Sequence, residues 1–189
     1  MAKRPNIKDI VRQEYLKCAK DPSYFMKKYC VVQHPMRGKV PFHLYDFQDK
    51  TLKMFVEDKH LIILKSRQLG LSTLSAGYSL WLMTFHTDKN ILVIATKQET
   101  AKNLVTKVRV MHKELPSWLK SNCVEDNKLS LKYENGSQIK AVSSNTDSAR
   151  SHVSSRSFSC RKSALDNTAS WDATWILSSG RYRRSISRF

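Results

Sequence analysis

A short apolar run, a glycine-containing loop and a long apolar helix follow one another in this chain and constrain its fold more than any other feature. The run covers His60 to Leu64, the loop covers Lys65 to Thr73, and the helix extends from about Ser72 to Phe85. A second apolar run, Ile91 to Ala95, comes shortly after the helix. Because buried strands joined by one helix form parallel crossovers, this order predicts an α/β fold with a parallel sheet.

Other segments predict further helices and a hairpin around this crossover. Pro22 interrupts a helical pattern over residues 7 to 29 and so predicts two N-terminal helices. Asn135-Gly136 predicts a hairpin turn between strands at Leu129 to Tyr133 and Gln138 to Val142. The remaining predictions are a loop marked by Pro35, Gly38 and Pro41, a helix from Asp46 to about Glu57, and a helix from Gln98 to Glu114.

The loop after the first apolar run has features of a phosphate-binding turn. Such a turn needs inward-pointing backbone N–H groups, a helix N-terminus that faces the anion, a cation, and a hydroxyl for Mg²⁺. In the usual spacing G-x-x-x-x-G-K-[ST], the second glycine falls on Gly70 and the hydroxyl on Ser72, whereas Leu71 replaces the lysine. Lys65 and Arg67 are the two candidate cations. From spacing alone, an ordinary turn with Ser72 as the helix cap is the alternative.

The charge of the chain favours a polyanionic partner. Lys and Arg total 33 against 16 Asp and Glu, which gives a net charge of +17. Basic side chains that contact phosphates release condensed counterions, and this release drives nucleic-acid binding. The basic residues are spread along the chain, so the sequence does not identify a DNA-binding face.

The cysteine and apolar patterns indicate a protein of the cytosol. The four cysteines and six histidines are scattered rather than spaced as zinc ligands or as a disulfide framework. The basic segment Met1 to Lys8 lacks the apolar core of a signal peptide. No apolar run approaches membrane-spanning length, so no membrane partner is expected.

The loop sequence KSRQLGLST, from Lys65 to Thr73, resembles the deviant Walker A loop of tailed-phage terminase large subunits, in a subset of which the lysine stands at the start of the loop. The resemblance implies that Lys65 contacts the phosphates, that Arg67 is the loop arginine, and that Ser72 lies on the Mg²⁺ side. By the same resemblance, the other nucleotide-binding residues of the loop are Ser66, Gln68, Gly70 and Thr73.

A second motif, Tyr45-Asp46-Phe47-Gln48, resembles the adenine-recognising Q motif of terminases and related helicases. The resemblance gives Gln48 the amide contact with adenine and makes Tyr45 or Phe47 a stacking residue. Core packing is the alternative role for the two aromatic rings. Further stretches that resemble the family are His34-Pro35, Phe42-His43-Leu44-Tyr45, Ala95-Thr96-Lys97-Gln98, Gly136-Ser137-Gln138-Ile139 and Asp147-Ser148-Ala149-Arg150.

The resemblance implies a P-loop NTPase-like, three-layer parallel sheet with N-terminal helices, and ATP and Mg²⁺ as cofactors. It divides the chain into an N-terminal helical region (1–41), a partial ATPase domain (42–152) and a Ser/Arg-rich tail (153–189). The implied partners are double-stranded DNA, a small terminase subunit, a portal protein and a ring of like subunits. The implied location is the host cytoplasm, with transient association at the procapsid portal.

The pattern departs from the family after the stretch Asp147 to Arg150, which resembles the family's arginine-containing loop. Hydrolysis requires an apolar strand that ends in acidic residues, and Val153 to Arg161 shows neither the strand nor the acids. We therefore expect an incomplete sheet, a disordered tail and little hydrolysis. A shifted reading frame at Phe158 to Arg161 would restore Leu-Val-Val and an acid; a truncation, a split gene or an intron boundary would leave the same mark.

Two other functions are compatible with the sequence. A fragment of a superfamily-2 helicase or translocase would share the Q motif and the loop, although helicases normally keep lysine at the position of Leu71. A non-enzymatic basic DNA-binding protein would need only the positive charge. Nucleotide binding separates the last possibility from the others.

Overall fold

The structure, a computed structural model, describes residues 7–34, 36–58, 60–66 and 68–143, together with the backbone of two strands at 156–161 and 173–178. The helices within these ranges are α1 (Ile7–Lys20), α2 (Pro22–Tyr29), α3 (Asp46–Glu57), α4 (Leu71–Phe85) and α5 (Gln98–Glu114). The strands are β1 (Val31–His34), β2 (Gly38–Pro41), β3 (His60–Lys65), β4 (Asn90–Ala95), β5 (Cys123–Asp126), β6 (Ser130–Tyr133), β7 (Gln138–Ser143), β8 (Arg156–Arg161) and β9 (Ala173–Ser178).

A seven-stranded sheet, in the order β3-β9-β8-β4-β7-β6-β5, forms the centre of the fold. Strand β4 is parallel to β7 on one side and to β8 on the other, whereas β9 is antiparallel to both β8 and β3. It follows that β3 and β4 run in the same direction, as a crossover through α4 requires. The α/β class is confirmed, but the sheet is mixed rather than purely parallel, and two strands separate the pair that α4 connects.

Helix α4 is buried on nearly all sides. Its buried residues include Leu74, Leu80 and Met83, none of which is measurably exposed to solvent. The helix tolerates polar residues because the Ser79 hydroxyl donates to the Ser75 carbonyl, four residues earlier in the same helix. The sequence therefore forms an apolar central helix, which begins directly after Gly70.

The N-terminal helices are joined at a capped turn and attached to α4. Asp21 is the N-cap of α2, where its carboxylate accepts a hydrogen bond of 2.8 Å from the Ser23 backbone N–H, and Pro22 occupies the first turn. The Trp81 indole N–H donates to the Cys18 carbonyl at 2.8 Å and so links α4 to α1. The predicted break at Asp21-Pro22 is confirmed.

A carboxylate on α1 accepts hydrogen bonds from three side chains of α2. Glu14 Oε1 accepts hydrogen bonds from Lys28 Nζ at 2.5 Å, from the Tyr24 hydroxyl at 2.7 Å and from the Tyr29 hydroxyl at 2.9 Å. The hydrogen bond from Lys28, followed by that from Tyr24, lowers the Glu14 pKa from its ordinary value of 4.5 to about 2. This cluster stabilises the packing of α1 on α2.

Acid is expected to weaken the fold through Glu14. Because the pKa of Glu14 is lower in the folded chain than in the unfolded chain, its contribution to stability is complete above about pH 4.5 and is lost as the pH falls toward 2. The Glu14→Gln variant should lack this component, so its free energy of unfolding should fall less than that of the native chain over this window. Urea unfolding at a series of pH values measures both, and parallel curves for the two proteins would contradict the prediction.

Two regions differ from the sequence-based expectation before β4. The predicted loop at Pro35 to Pro41 belongs to a hairpin, in which β1 pairs with β2 from Val31↔Pro41 to His34↔Gly38. Strand β3 is less buried than predicted. Leu61 and Ile63 pack against the core, whereas Ile62 and Leu64 are each 69% exposed on the opposite face. The reason is that β3 is an edge strand, and its apolar run does not show which face the helices cover.

The expectation that residues 153–161 form no strand is wrong. Strand β8 pairs in parallel with β4 from Ile91↔Arg156 to Ala95↔Cys160, and β9 lies between β8 and β3. Backbone pairing forms these ladders although β8 has no long apolar run. The rest of the tail, where disorder is expected, lies outside the described residues, as do residues 144–152 of the arginine-containing loop.

Candidate functional site

The loop between β3 and α4 has a strained backbone. Gln68 has φ 61° and Gly70 has φ 70°, so two residues close together adopt the left-handed conformation. Glutamine occupies this region at a cost, and such outliers cluster at functional sites. Alternating left-handed residues also turn successive N–H groups toward one side, as in anion-binding nests. Arg67 lies outside the described residues, so its predicted role stays a prediction.

Gly70 lies against the buried amide of Gln48. Gln48 is 2% exposed; its Nε2 donates to the Leu69 carbonyl at 3.0 Å, and its Oε1 accepts from the Tyr45 backbone N–H at 3.2 Å. A Cβ on Gly70 would lie 2.7 Å from Gln48 Nε2, a distance that real contacts do not reach. Gln48 therefore connects the start of α3 to the loop, and a side chain at position 70 would displace its amide.

The first turn of α4 faces the loop. Gly70 is the N-cap, and its carbonyl accepts from the Thr73 and Leu74 backbone N–H groups at 2.9 and 3.0 Å. Ser72 and Thr73 are half-buried in this turn, whereas the Leu71 side chain is 3% exposed and belongs to the core. The first N–H groups of a helix lack intrahelical acceptors and carry partial positive charge, and this turn is therefore suited to an anion.

Lys65 ends β3 beside the same loop. Its Nζ donates to the Ser66 carbonyl at 2.9 Å, so the ammonium folds over the loop backbone instead of extending into solvent. Ser66 is half-buried and Gln68 is exposed. The structure thus brings Lys65, Ser66, Gln68, Gly70, Ser72 and Thr73 together at one end of β3.

The aromatic side chains of the second motif are at the surface. The rings of Tyr45 and Phe47 are stacked, with centroids 5.8 Å apart and an interplanar angle of 8°. Tyr45 is 68% exposed and Phe47 is 40% exposed, which argues against the core-packing alternative. Both precede Gln48 at the start of α3, so an exposed aromatic pair adjoins the loop through that glutamine.

A lysine that the motifs do not include also reaches the site. Lys107, in the middle of α5, donates from Nζ to the Thr73 hydroxyl at 3.2 Å. Its side chain is exposed overall, yet burial by neighbouring protein atoms lowers the pKa of the amine. In sequence Lys107 is far from the loop, and nothing in its local pattern distinguishes it from the other lysines of α5.

The residues present fit a polyphosphate better than a metal ion. Lysine amines, hydroxyls and helix N–H groups are all donors, and the loop would be crowded by a side chain at Gly70. Among the described residues, no three His, Cys, Asp or Glu side chains form a group able to hold a metal.

Comparison with known proteins identifies the fold. No model of a known protein family matches the sequence. Among solved structures, the chain is similar to the crystal structure of the HK97 bacteriophage large terminase, with a TM-score of 0.53 and 19% sequence identity. The match covers 68% of this chain and 28% of that terminase chain. Within the described ranges, no helix combines the length and apolar character needed to cross a bilayer. The similarity to that solved structure shows that the protein has a terminase-like α/β fold.

Proposed function

We propose that the loop between β3 and α4 binds the phosphates of ATP and that the aromatic pair at the start of α3 binds the adenine. In this proposal Lys65 and Arg67 supply positive charge, Ser72 supplies a hydroxyl to Mg²⁺, and Tyr45 or Phe47 stacks on the base. The remaining predicted contacts come from Ser66, Gln68, Gly70 and Thr73. All of these residues except Arg67 lie in the part of the chain that the structure describes.

The contact between Gln48 and the loop carries the proposal. A buried amide that bonds to the Tyr45 backbone and the Leu69 carbonyl makes the base-binding and phosphate-binding segments one unit. An ordinary strand-to-helix turn has no need for such a link, nor for left-handed Gln68 and Gly70 beside it. Contact of the Gln48 amide with adenine would compete with these hydrogen bonds. A bound base would then alter the position of the phosphate loop.

The larger proposed role is that of a DNA-packaging motor. The fold similarity to a phage large terminase and the net charge of +17 support an ATP-binding part of a terminase large subunit, which uses ATP hydrolysis to translocate double-stranded DNA into a procapsid. The proposed partners are DNA, a small terminase subunit, the portal protein and further copies in a ring. The proposed location is the host cytoplasm and, transiently, the procapsid portal.

Binding without appreciable turnover is the activity we propose for this chain. ATP hydrolysis by P-loop enzymes needs a carboxylate near the γ-phosphate to orient the attacking water. Strand β8 follows the arginine-containing loop and is parallel to β4, but its sequence, Arg156 to Arg161, contains no acid. ATP bound at the loop would therefore find no acid on β8 to activate water.

Titration with ATP and Mg²⁺, followed by calorimetry, tests the proposed site. Lys65→Ala should weaken ATP binding about tenfold or more, because it removes a charge-assisted hydrogen bond to phosphate. Gln48→Ala should weaken it by a similar factor, because it releases the loop from α3. Phosphate release should stay near the background rate in all of these proteins.

Lys132→Ala serves as the matched control, since it removes one exposed positive charge from β6, away from the loop. Its ATP affinity should equal that of the native chain. Native affinity in both Lys65→Ala and Gln48→Ala would remove the basis of the proposal. Salt-dependent DNA binding with no ATP binding in any variant would instead support the non-enzymatic DNA-binding alternative.

A further inference from the structure

The phosphate site has a cation from outside its own motif. Leu71 stands where the usual loop has lysine, and its side chain is 3% exposed within the core. Leucine has no charge, so position 71 does not supply the cation that the usual loop has there. On the opposite side of the same turn, Lys107 Nζ lies 3.2 Å from the Thr73 hydroxyl.

The charged groups described around Lys107 are positive. In the described part of the chain it forms no ion pair with an acidic side chain, and its amine is close to the positive end of α4. The Lys65 ammonium lies over the adjoining loop. Ammonium groups and a helix N-terminus repel one another unless an anion lies between them, and burial, which lowers the pKa of Lys107, adds to this cost.

We infer that Lys107 is a nucleotide-binding residue, which donates from α5 to a phosphate oxygen beside Thr73 and so supplies the charge that Leu71 lacks. The inference rests on the proposed function, because it requires the loop to bind a polyphosphate. Lys65 approaches the loop from β3 and Lys107 approaches it from α5, so the anion is held from two sides. Thr73 orients the amine through its hydroxyl, and the same hydroxyl is a further donor to the anion.

This arrangement also links the site to α5. Lys107 is in the middle of the helix, and α5 packs against α4, β4 and β7. A phosphate contact made by Lys107 would favour one position of α5 relative to α4. Through the hydrogen bond from Lys107, nucleotide binding would then affect how α5 packs on the central sheet.

Calorimetric titration with ATP and with inorganic tripolyphosphate tests the inference. Lys107→Met keeps the length and apolar stem of the side chain but removes the charge, and should weaken both ligands about tenfold. Lys107→Arg should restore most of the affinity. Lys113→Met, on the last turn of the same helix, should bind both ligands like the native chain. Tyr45→Ala should weaken ATP while leaving tripolyphosphate unchanged, since tripolyphosphate has no base to stack.

The outcomes separate this inference from the proposed function. If Lys65→Ala weakens both ligands and Lys107→Met weakens neither, Lys107 is not a binding residue and the phosphate loop stands. If Lys107→Met lowers the free energy of unfolding and Lys107→Arg does not restore affinity, its role is structural. If the native chain binds neither ligand, the phosphate loop and the role of Lys107 fail together.

Discussion

Replacing Gly70 by alanine is expected to reduce ATP affinity strongly. The substitution meets two obstacles at once. The backbone at Gly70 has φ 70°, which alanine adopts at a cost of about 1–2 kcal/mol. The new Cβ would also lie 2.7 Å from Gln48 Nε2. Relief of that contact requires the amide to leave the Leu69 carbonyl or the loop to move, and either change alters the proposed phosphate site.

The expected loss of affinity is about tenfold or more, which corresponds to about 1.4 kcal/mol or more of binding free energy. Calorimetric titration with ATP gives the affinity, and circular dichroism shows whether the variant remains folded. The Gly70→Ala, Gln48→Ala double variant separates the two obstacles, because it removes the crowding but not the backbone strain. The double variant should bind ATP as weakly as Gln48→Ala, apart from a further loss caused by the backbone strain at position 70.

Gly38 provides a matched control. It also has φ 70°, but a Cβ there would meet no atom within 4 Å. Gly38→Ala should therefore lose some stability through strain and keep its ATP affinity. Equal affinities in Gly70→Ala and Gly38→Ala would show that the loop does not require glycine for nucleotide binding.

The sequence predicted the elements around the site closely. The helices at Asp46–Glu57 and Gln98–Glu114 have the predicted bounds, and α4 begins one residue before the expected start. These segments have helical apolar spacing together with clear interruptions at their ends, so local patterns determine them. The hairpin at Asn135-Gly136 is confirmed for the same reason, because few residues other than glycine adopt φ 80° at that turn.

Features that depend on distant neighbours were not predictable. Ile62 and Leu64 lie on the exposed face of β3, and an apolar run does not show which face of a strand the rest of the fold covers. The pairing of β8 with β4 likewise depends on an available ladder rather than on the composition of β8. The approach of Lys107 to Thr73 requires the packing of α5 on α4, which no local motif specifies.

The sequence proposed the residues of the candidate site but not the contacts between them. Resemblance and spacing named Gln48 and the loop separately, and their roles in binding remain predictions. The structure adds that the Gln48 amide is bonded to the Leu69 carbonyl. Spacing cannot reveal this contact, because the loop and α3 meet only after the helix has packed on the fold.

Replacing Trp81 by alanine is expected to cause the largest loss of stability, about 3–5 kcal/mol. Trp81 is 6% exposed, its ring stacks on Tyr78 with centroids 5.7 Å apart, and its N–H donates to the Cys18 carbonyl at 2.8 Å. Cys18 lies in the last turn of α1, where carbonyls lack intrahelical donors. The substitution therefore opens a cavity beside α4 and also leaves a buried acceptor unpaired.

Two further variants divide this effect between packing and hydrogen bonding, with urea unfolding as the measurement. Trp81→Phe keeps a buried aromatic ring but loses the N–H donor and part of the indole volume, so it should cost less than Trp81→Ala, about 1–3 kcal/mol. Trp118→Ala is the surface comparison, because that half-buried ring contacts Tyr29 at 5.6 Å and should contribute less. A loss in Trp81→Ala no larger than that in Trp118→Ala would mean that α1 is not held to α4 through this side chain. Helix α4 begins at the proposed phosphate loop, and Trp81→Phe keeps an aromatic side chain on that helix. We therefore expect this variant to bind ATP like the native chain.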